Sequence, residues 1–262
     1  MSKAMRKLGF FILVALLFAG CATTQPPAPV DNRSALRVGI TPDYPPMIFK
    51  QGDRITGAEA DFALRLAEGL GKTVQYVELR WDQQISALME GKTDLIMSGM
   101  TITDARKARI DFTDPYLKSG LVTLMRSEDA PQFNSLQAIR ESHSTVGVVA
   151  GTTGETFVRK NFPNALGVVA FPKASDAVYL LKNMRIDMMV HDGPSIAWLV
   201  SENEGTLKGF WEPFNQEWMG WGVRRSDQEL LNQVNALLRN WKKDGTLKEV
   251  LSKWLPYLKD FE

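Results

Sequence analysis

The sequence predicts an α/β protein with two lobes. Strand-like apolar segments alternate with segments of helical periodicity, once from residue 36 and again from residue 145. A length of 262 residues allows two lobes of roughly 100 residues each. A hydrophobic fraction of 44% and a charged fraction of 23% are typical of globular proteins. Such alternation favours parallel strand pairing through helical crossovers.

In the first half of the chain, three strand-like segments alternate with two helical ones. The loop after the first strand contains two consecutive prolines, which lack the N–H groups that a sheet needs. One helix begins after Gly57 and ends at Gly71, and the next, which Asp82 can cap, ends at Gly91. The predicted strands are 36–40, 74–79 and 95–98.

The alternation that restarts at Thr145 predicts a second lobe. A helix there begins at Thr152 or Thr153, and a later one has Pro194 in its first turn. A short strand from Gly220 then leads to the C-terminal helices. The strands of this half are predicted at 146–150, 168–171 and 187–191. The first C-terminal helix has an apolar face formed by Leu230, Leu231, Val234, Leu237, Leu238 and Trp241.

The N-terminus is typical of a secretory signal peptide over residues 1–20. Three basic residues, Lys3, Arg6 and Lys7, precede an apolar run that is too short to span a bilayer. Removing residues 1–20 takes away these three positive charges and no negative one, so the formal net charge changes from +1 to −2. Because the chain has no basic stripe, we do not expect it to bind nucleic acid.

The single cysteine, Cys21, follows this apolar run directly. The segment resembles the bacterial lipoprotein signal, in which this cysteine is lipidated and becomes the new N-terminus. Residues 21–35 are Pro-rich and are predicted to tether a soluble body to the membrane. We therefore expect a membrane-anchored lipoprotein in the periplasm or at the cell surface. Cleavage without lipidation is the alternative.

The segment 96–116 has the features of a carboxylate receptor. A short strand, a turn and a helix start follow one another, and Thr101 or Thr103 can cap a helix whose first turn carries Arg106. A guanidinium holds a carboxylate with two parallel hydrogen bonds, and helix N-termini attract anions. The alternative is a surface ion pair of Arg106. The candidate partners for that pair are Asp104, Asp111 and Asp114.

A series of motifs runs along residues 36–255. The first-half motifs are Leu36-Arg-Val-Gly-Ile, Tyr44-Pro-Pro, Gly57-Ala-Glu-Ala-Asp, Trp81-Asp, Gly91-Lys-Thr-Asp-Leu-Ile, Ser98-Gly-Met-Thr-Ile-Thr-Asp-Ala-Arg and Asp111-Phe-Thr-Asp-Pro-Tyr. The later ones are Ala150-Gly-Thr-Thr-Gly-Glu, Ile186-Asp-Met-Met-Val-His-Asp, Gly220-Trp-Gly-Val-Arg and Asp244-Gly-Thr-Leu. Together, in this order, they resemble the polar amino-acid class (family 3) of bacterial periplasmic solute-binding proteins, type II, which serve ABC importers.

The resemblance implies two lobes joined by two crossover strands, with an amino-acid ligand between them. Residues 36–119 plus 219–262 would form the first lobe and residues 120–218 the second. The C-terminal helices would therefore pack on the first lobe. The implied partner is an ABC-transporter permease, and the implied state is a monomer without cofactor or metal.

The resemblance also implies the residues of the ligand site. Arg106 would bind the ligand carboxylate, helped by backbone and hydroxyl groups at Ser98, Met100 and Thr101 and, from the other lobe, Thr153. Asp192 would bind the ammonium group. Tyr44 and Trp81 would flank the ligand side chain, and the side-chain pocket would include Thr41 and Glu59. As alternatives, the two aromatic residues belong to the core, Asp192 caps the helix at Pro194, and Glu59 is a solvated first-turn acid. If Glu59 faces the pocket, it favours a cationic or hydrogen-bonding side chain.

An enzyme on the same scaffold and a ligand sensor are the alternative functions. The cyclohexadienyl dehydratases resemble these binding proteins, and such an enzyme needs a protonated acid, for which Glu59 or Glu155 is a candidate. However, Gly154 stands where those enzymes tend to carry asparagine. The two histidines, His143 and His191, are expected to be surface or structural residues. Two histidines 48 residues apart and one cysteine are too few for a metal site, so we expect none.

Overall fold

The computed structural model describes residues 34–257. The predicted signal peptide, Cys21 and most of the predicted tether lie outside the described residues. Within residues 34–257, none of the helices has both the length and the apolar character that crossing a bilayer requires.

The first half contains eight strands and three helices. The strands are β1 Ala35–Ile40, β2 Asp43–Tyr44, β3 Ile48–Gln51, β4 Arg54–Thr56, β5 Thr73–Glu78, β6 Leu95–Ile96, β7 Asp111–Phe112 and β8 Leu117–Ser119. The helices are α1 Ala58–Gly69, α2 Gln84–Met89 and α3 Asp104–Lys107.

The second half contains seven further strands and six further helices within the described residues. The strands are β9 Leu121–Arg126, β10 Thr145–Val149, β11 Gly167–Phe171, β12 Met188–Asp192, β13 Leu207–Phe210, β14 Glu217–Met219 and β15 Gly222–Val223. The helices are α4 Leu136–Glu141, α5 Thr153–Asn161, α6 Asp176–Lys182, α7 Gly193–Ser201, α8 Gln228–Asp244 and α9 Thr246–Trp254.

Two five-stranded mixed sheets define the two lobes, as the sequence predicted. The first sheet has the order β5-β1-β6-β15-β7, and β1 runs parallel to both β5 and β6. The second has the order β11-β10-β12-β9-β13, and β10 runs parallel to both β11 and β12. The remaining neighbours in each sheet are antiparallel. Parallel neighbours place the carboxyl ends of several strands at one edge of a sheet, where loops can build a site.

The chain passes between the lobes along β8 and β14, which pair with each other as an antiparallel ribbon. Its register places Glu217 opposite Ser119 and Met219 opposite Leu117. Thr101, in the loop that follows β6, forms an isolated bridge with Met219. The crossover ribbon is therefore attached directly to the loop that carries the predicted carboxylate receptor.

Both C-terminal helices pack in the hydrophobic core of the first lobe. The α8 residues Leu230, Val234, Leu238 and Trp241 are buried in that core. Trp241 stacks on Phe62 of α1 with ring centroids 5.9 Å apart. An ion pair of 2.6 Å between Lys253 and Asp61 fixes α9 against α1. Gly245 separates the two helices at φ 87°, a conformation that glycine adopts without steric cost.

The predicted helix cap at Asp82 is wrong. Asp82 lies within a 3₁₀ turn at Trp81–Gln83, and α2 begins after it with Gln83 at the N-cap position. The carboxylate of Asp82 instead accepts two hydrogen bonds from Arg80, at 3.1 and 2.7 Å. The neighbouring guanidinium therefore occupies the oxygens that would have capped the helix.

Candidate functional site

A cleft between the lobes contains about 510 Å³ of empty space, part of which is open to solvent. From the first lobe it is lined by Thr41, Asp43, Tyr44, Trp81, Ser98 and Arg106. From the second it is lined by Thr152, Thr153, Pro172, Ala174, His191 and Asp192.

Arg106 is positioned by the start of α3. The hydroxyl oxygen of Thr103 caps this helix by accepting a hydrogen bond from the Arg106 N–H at 3.2 Å. The guanidinium donates from Nη1 to the Thr101 carbonyl at 2.7 Å, and its carbon lies 5.1 Å from the Trp81 ring centroid. These contacts leave further N–H groups of Arg106, a cleft-lining residue, available to an anion.

The surface ion pair considered for Arg106 does not form. The three candidate aspartates pair with other cations: Asp104 with Lys107 at 4.0 Å, Asp111 with Arg225 at 3.9 Å, and Asp114 with Arg239 at 3.3 Å. Burial lowers the pKa of Arg106, while the charges of Asp192 and Glu217 raise it. The guanidinium remains a cation, because its ordinary pKa lies far above neutral pH.

Asp192 ends β12 at the opposite side of the cleft and is 5% exposed. Its Oδ2 accepts a hydrogen bond of 3.0 Å from the Tyr44 hydroxyl. Its Oδ1 is buried and accepts no hydrogen bond from an N–H or hydroxyl group among residues 34–257, although the Asp192 and Glu217 carboxyls interact with each other. Although α7 begins directly after it, the Asp192 side chain makes no capping hydrogen bond. Burial raises the pKa of Asp192. An unpaired buried carboxylate oxygen in a cleft wall is suited to a hydrogen-bond donor such as an ammonium group.

The two predicted aromatic residues line the cleft and also reach across it. The Tyr44 ring lies close to the backbone of Gly99, which has φ +62°. A Cβ at residue 99 would lie 2.3 Å from the Tyr44 ring, so only glycine permits this approach. Trp81 donates from Nε1 to the Gly151 carbonyl of the second lobe at 3.0 Å. The lobes are therefore in contact around the cleft, as in a closed form.

The predicted polar residues differ in what their side chains contact. Ser98 Oγ accepts from the Thr41 N–H at 2.9 Å, which joins two cleft-lining loops. Thr101 and Thr153 donate their hydroxyl hydrogens to one oxygen of Glu217, at 3.1 and 3.0 Å.

The structure places Met100 outside the cleft lining. It is 2% exposed and packs with Leu88, Ile96 and Ile110 in a small core cluster. Its backbone carbonyl accepts from the Gly220 N–H.

Glu59 also lies outside the cleft lining, and it is not the solvated acid considered from sequence. It is 0% exposed, in the first turn of α1 beneath the site. Its carboxylate accepts hydrogen bonds from the Gly99 N–H at 2.8 Å, the Tyr116 hydroxyl at 2.7 Å and Trp221 Nε1 at 2.6 Å. Burial raises the pKa of Glu59 to about 7. Glu59 therefore holds the cleft loop from below. Because it does not face the pocket, it gives no preference for a cationic or hydrogen-bonding ligand side chain.

Three polar residues near the cleft were missed by sequence reasoning. Asp43 immediately precedes Tyr44 in the same loop, and this position in the sequence could have indicated that Asp43 also lies at the cleft. His191 is buried beside Asp192, with 3.5 Å between its Nδ1 and Oδ2, and burial lowers its pKa to about 4. Glu217 lies on the crossover strand β14, where no sequence pattern indicated a role.

Comparison with known proteins identifies the family. The model of bacterial extracellular solute-binding proteins, family 3, matches residues 36–257. The chain belongs to this family.

Relatives of this solute-binding protein bind amino acids. The L-cystine-binding protein TcyJ of Escherichia coli (strain K12) is 30% identical over 226 residues, which cover 86% of this chain and 84% of that protein. The crystal structure of AncCDT-1, an ancestral amino acid-binding protein described as a precursor of cyclohexadienyl dehydratase, has a TM-score of 0.79 and 36% identity and covers 84% of this chain and 95% of that one. An ancestral arginine-binding protein bound to arginine has a TM-score of 0.79 and 34% identity and covers 85% of this chain and 99% of that one.

Proposed function

We propose that this protein binds an amino acid between its lobes and delivers it to the permease of an ABC importer. One observation carries the proposal. The guanidinium of Arg106 and the carboxylate of Asp192, with its buried unpaired oxygen, line one cleft from opposite lobes. A zwitterion carries the complementary pair of charges, so its binding compensates both Arg106 and Asp192.

Binding would work by a population shift between open and closed forms. A ligand that touches both Arg106 and Asp192 does so only when the lobes are closed, so its binding energy favours closure. Trp81 and Tyr44 support the same form through their hydrogen bonds to Gly151 and Asp192. A permease that prefers the closed form then detects that the site is occupied.

The cleft favours a polar or cationic amino acid. Asp43 lines it, and its carboxylate forms no ion pair within residues 34–257. Burial raises the pKa of Asp43, while the charge of Lys173 lowers it. A ligand side chain with a cation or several N–H groups would compensate this carboxylate. The arginine bound to the ancestral relative is an amino acid of this class.

Neither acid considered for dehydratase chemistry is in a suitable place. Glu59 is outside the cleft lining, with all its hydrogen bonds inside the first lobe. Glu155 accepts hydrogen bonds from the Gly151 N–H and from Arg159, and these hold its pKa below the ordinary value. An ionised carboxylate cannot protonate a leaving hydroxide. We therefore infer a binding protein, not an enzyme, and expect no aromatic product on incubation with prephenate or arogenate.

We further propose that lipidated Cys21 anchors the monomeric protein to the outside of a membrane. The support is the apolar run before Cys21 and the Pro-rich segment after it. The wild-type protein should fractionate with membranes, and Cys21→Ser should move it to the soluble extracytoplasmic fraction. A variant that stays with membranes would contradict lipid anchoring.

Calorimetry with the twenty amino acids and L-cystine tests the main proposal. We expect at least one ligand with micromolar affinity. Arg106→Ala should weaken its binding at least about 100-fold, because it removes a charge-assisted partner of the carboxylate. Arg109→Ala is the matched control, since Arg109 is an exposed arginine three residues further on and does not line the cleft. Full affinity in Arg106→Ala would refute the assigned role.

A further inference from the structure

Glu217 is a carboxylate at the junction of the two lobes. It lies on β14, one strand of the crossover ribbon, and is 7% exposed. Its Oε2 accepts hydrogen bonds from Thr101 of the first lobe at 3.1 Å and from Thr153 of the second at 3.0 Å. Its Oε1 accepts a hydrogen bond of 2.9 Å from Asn215 Nδ2. One carboxylate oxygen thus accepts a hydrogen bond from a hydroxyl group of each lobe.

These two hydroxyl groups cannot serve two carboxylates at once. A threonine side chain has one hydrogen to donate, and an ionised carboxylate only accepts. Thr101 and Thr153 both line the amino-acid cleft. While they donate to Glu217, neither can donate to the carboxylate of a bound amino acid.

Glu217 adjoins the amino-acid cleft, and its charge and that of the cleft-lining Asp192 act on each other. Glu217 lines a second, open cavity, whose wall also includes Arg106, Thr152 and Thr153. These three residues line the first cleft as well, so they form the partition between the two spaces. The charge of Glu217 also acts on Arg106, whose pKa it raises. Glu217 therefore interacts with the same hydrogen-bond donors that a ligand carboxylate would use.

We propose that Glu217 is an internal competitor for the carboxylate of the bound amino acid. The inference rests on the proposed function and assigns a further role within the same site. Glu217 holds the hydroxyl groups of Thr101 and Thr153 and attracts Arg106. A ligand carboxylate must displace it from these groups to gain their hydrogen bonds. The competition lowers affinity and gives the two hydroxyl groups a partner when the amino acid leaves, which favours release.

A purely structural role makes a different prediction. If Glu217 only links the crossover ribbon to the lobes, its replacement weakens closure and lowers affinity for every ligand alike. Competition instead affects only ligands that carry a carboxylate. The affinity of a free amino acid divided by that of its carboxamide separates the two roles, because both compounds share the ammonium group and the side chain.

The experiment is calorimetry with the full-length protein, first with L-arginine and L-argininamide. If the amino-acid panel gives another, tighter ligand, that amino acid and its carboxamide are used. Glu217→Gln removes the charge and weakens the acceptor. Glu217→Asp keeps the charge but is one methylene shorter, so it cannot reach both hydroxyl groups. Competition predicts that the acid-to-amide affinity ratio rises about tenfold in Glu217→Gln and by a smaller factor in Glu217→Asp.

Glu212→Gln is the charge-matched control. It removes a carboxylate from the segment that precedes β14, but Glu212 is exposed and lines neither the amino-acid cleft nor the second cavity. We expect its acid-to-amide ratio to stay near that of the wild type.

The outcomes distinguish this inference from the proposed function. If no amino acid of the panel binds the wild-type protein, the proposed function fails, and the inference with it. If an amino acid binds but the ratio is unchanged or lower in the Glu217 variants, only the competition is overturned. If Glu217→Gln does not fold, as judged by its thermal melt, the ratio in Glu217→Asp decides.

Discussion

At the scale of single residues, Asp192 has an environment that a structural aspartate rarely has. It is buried, it receives one hydrogen bond from Tyr44, and its Oδ1 accepts no hydrogen bond from an N–H or hydroxyl group within residues 34–257. Burial raises its pKa to about 6, although the hydrogen bond from Tyr44 and the charge of Arg106 act in the opposite direction. An ammonium group bound to Oδ1 would stabilise the ionised form and supply the missing hydrogen bond.

We expect Asp192→Asn to lower amino-acid affinity about 100-fold, because it removes one charge of a buried pair. In the wild type, affinity should fall as pH is lowered through the raised pKa of Asp192, since only the ionised carboxylate attracts an ammonium group. Calorimetry between pH 5 and 8 measures both effects. Asp53→Asn, in an exposed turn, is the control and should keep wild-type affinity and pH dependence. Equal pH profiles for wild type and Asp192→Asn would contradict this role.

Glu59 is a second buried carboxylate, but its three hydrogen-bond donors all belong to the first lobe. Those donors lie in the cleft loop at Gly99, before β8 at Tyr116 and after β14 at Trp221. Glu59 thus connects the floor of the site to both strands of the crossover ribbon at the end where they enter the first lobe. Burial destabilises the ionised form of Glu59 by more than the three hydrogen bonds stabilise it. The pKa of Glu59 is therefore raised to about 7.

The free energy of unfolding of the protein should depend on pH through the titration of Glu59. Its folded-state pKa lies above the ordinary value, so its contribution is fully present below about pH 4.5 and is lost as pH rises through about 7. From pH 5 to pH 8, the free energy of unfolding of the wild type should fall relative to Glu59→Gln by on the order of 3 kcal/mol. Urea unfolding at each pH measures this difference. A pH-independent difference would show that Glu59 titrates normally.

At the scale of elements, the short helix α3 determines where Arg106 points. A helix of four residues, Asp104–Lys107, is not stable alone, so its cap and its neighbours must hold it. Thr103 supplies the cap through the backbone N–H of Arg106 itself. The hydrogen bond that fixes the helix is therefore made by the backbone of Arg106, the residue that we propose binds the ligand carboxylate.

Thr103→Ala should lower amino-acid affinity about fivefold, because loss of a cap costs about 1 kcal/mol and loosens the backbone of Arg106. Calorimetry measures the affinity and a thermal melt the stability. Ser135→Ala is the matched control, since Ser135 caps α4 through the Ala138 N–H in the second lobe and does not line the cleft. It should lower stability but not affinity. Equal affinity losses in the two variants would indicate a global effect.

At the scale of the whole molecule, contacts outside the cleft lining also join the lobes. Phe49 of β3 packs against Trp198 of α7 with ring centroids 5.3 Å apart. The Tyr257 hydroxyl donates to the Pro194 carbonyl at 3.1 Å. Such contacts stabilise the closed form without touching a ligand. The more stable the closed form is without ligand, the less ligand-binding free energy is needed to close the lobes.

Trp198→Ala should lower affinity about tenfold, because it removes an aromatic contact that exists only when the lobes meet. Small-angle scattering without added amino acid should give a larger radius of gyration than for the wild type. Trp211→Ala is the control, since Trp211 is an exposed tryptophan of the second lobe. Unchanged affinity and radius of gyration in Trp198→Ala would show that this contact does not influence closure.

Much of the architecture could be predicted because local patterns encode it. The α8 face containing Val234, Leu238 and Trp241 is buried, as its helical spacing predicted. The predicted strand 95–98 is shorter, at Leu95–Ile96, because the chain turns there into the cleft loop through Gly99, which has a positive φ. Asp82 did not cap its helix, because the guanidinium of Arg80 competes for the same oxygens, and helix-start patterns do not include that competition.

The sequence by itself determined the alternation of strands and helices, the two lobes and the motif that carries Arg106, because these depend on near neighbours in the chain. Only the tertiary structure decided that Asp192 has an unpaired oxygen in the cleft, that Glu59 lies beneath it, and that Glu217 occupies the hydroxyl groups of two threonines. Each of these facts joins residues far apart in sequence. Burial and hydrogen-bond competition between such residues exist only once the chain has folded.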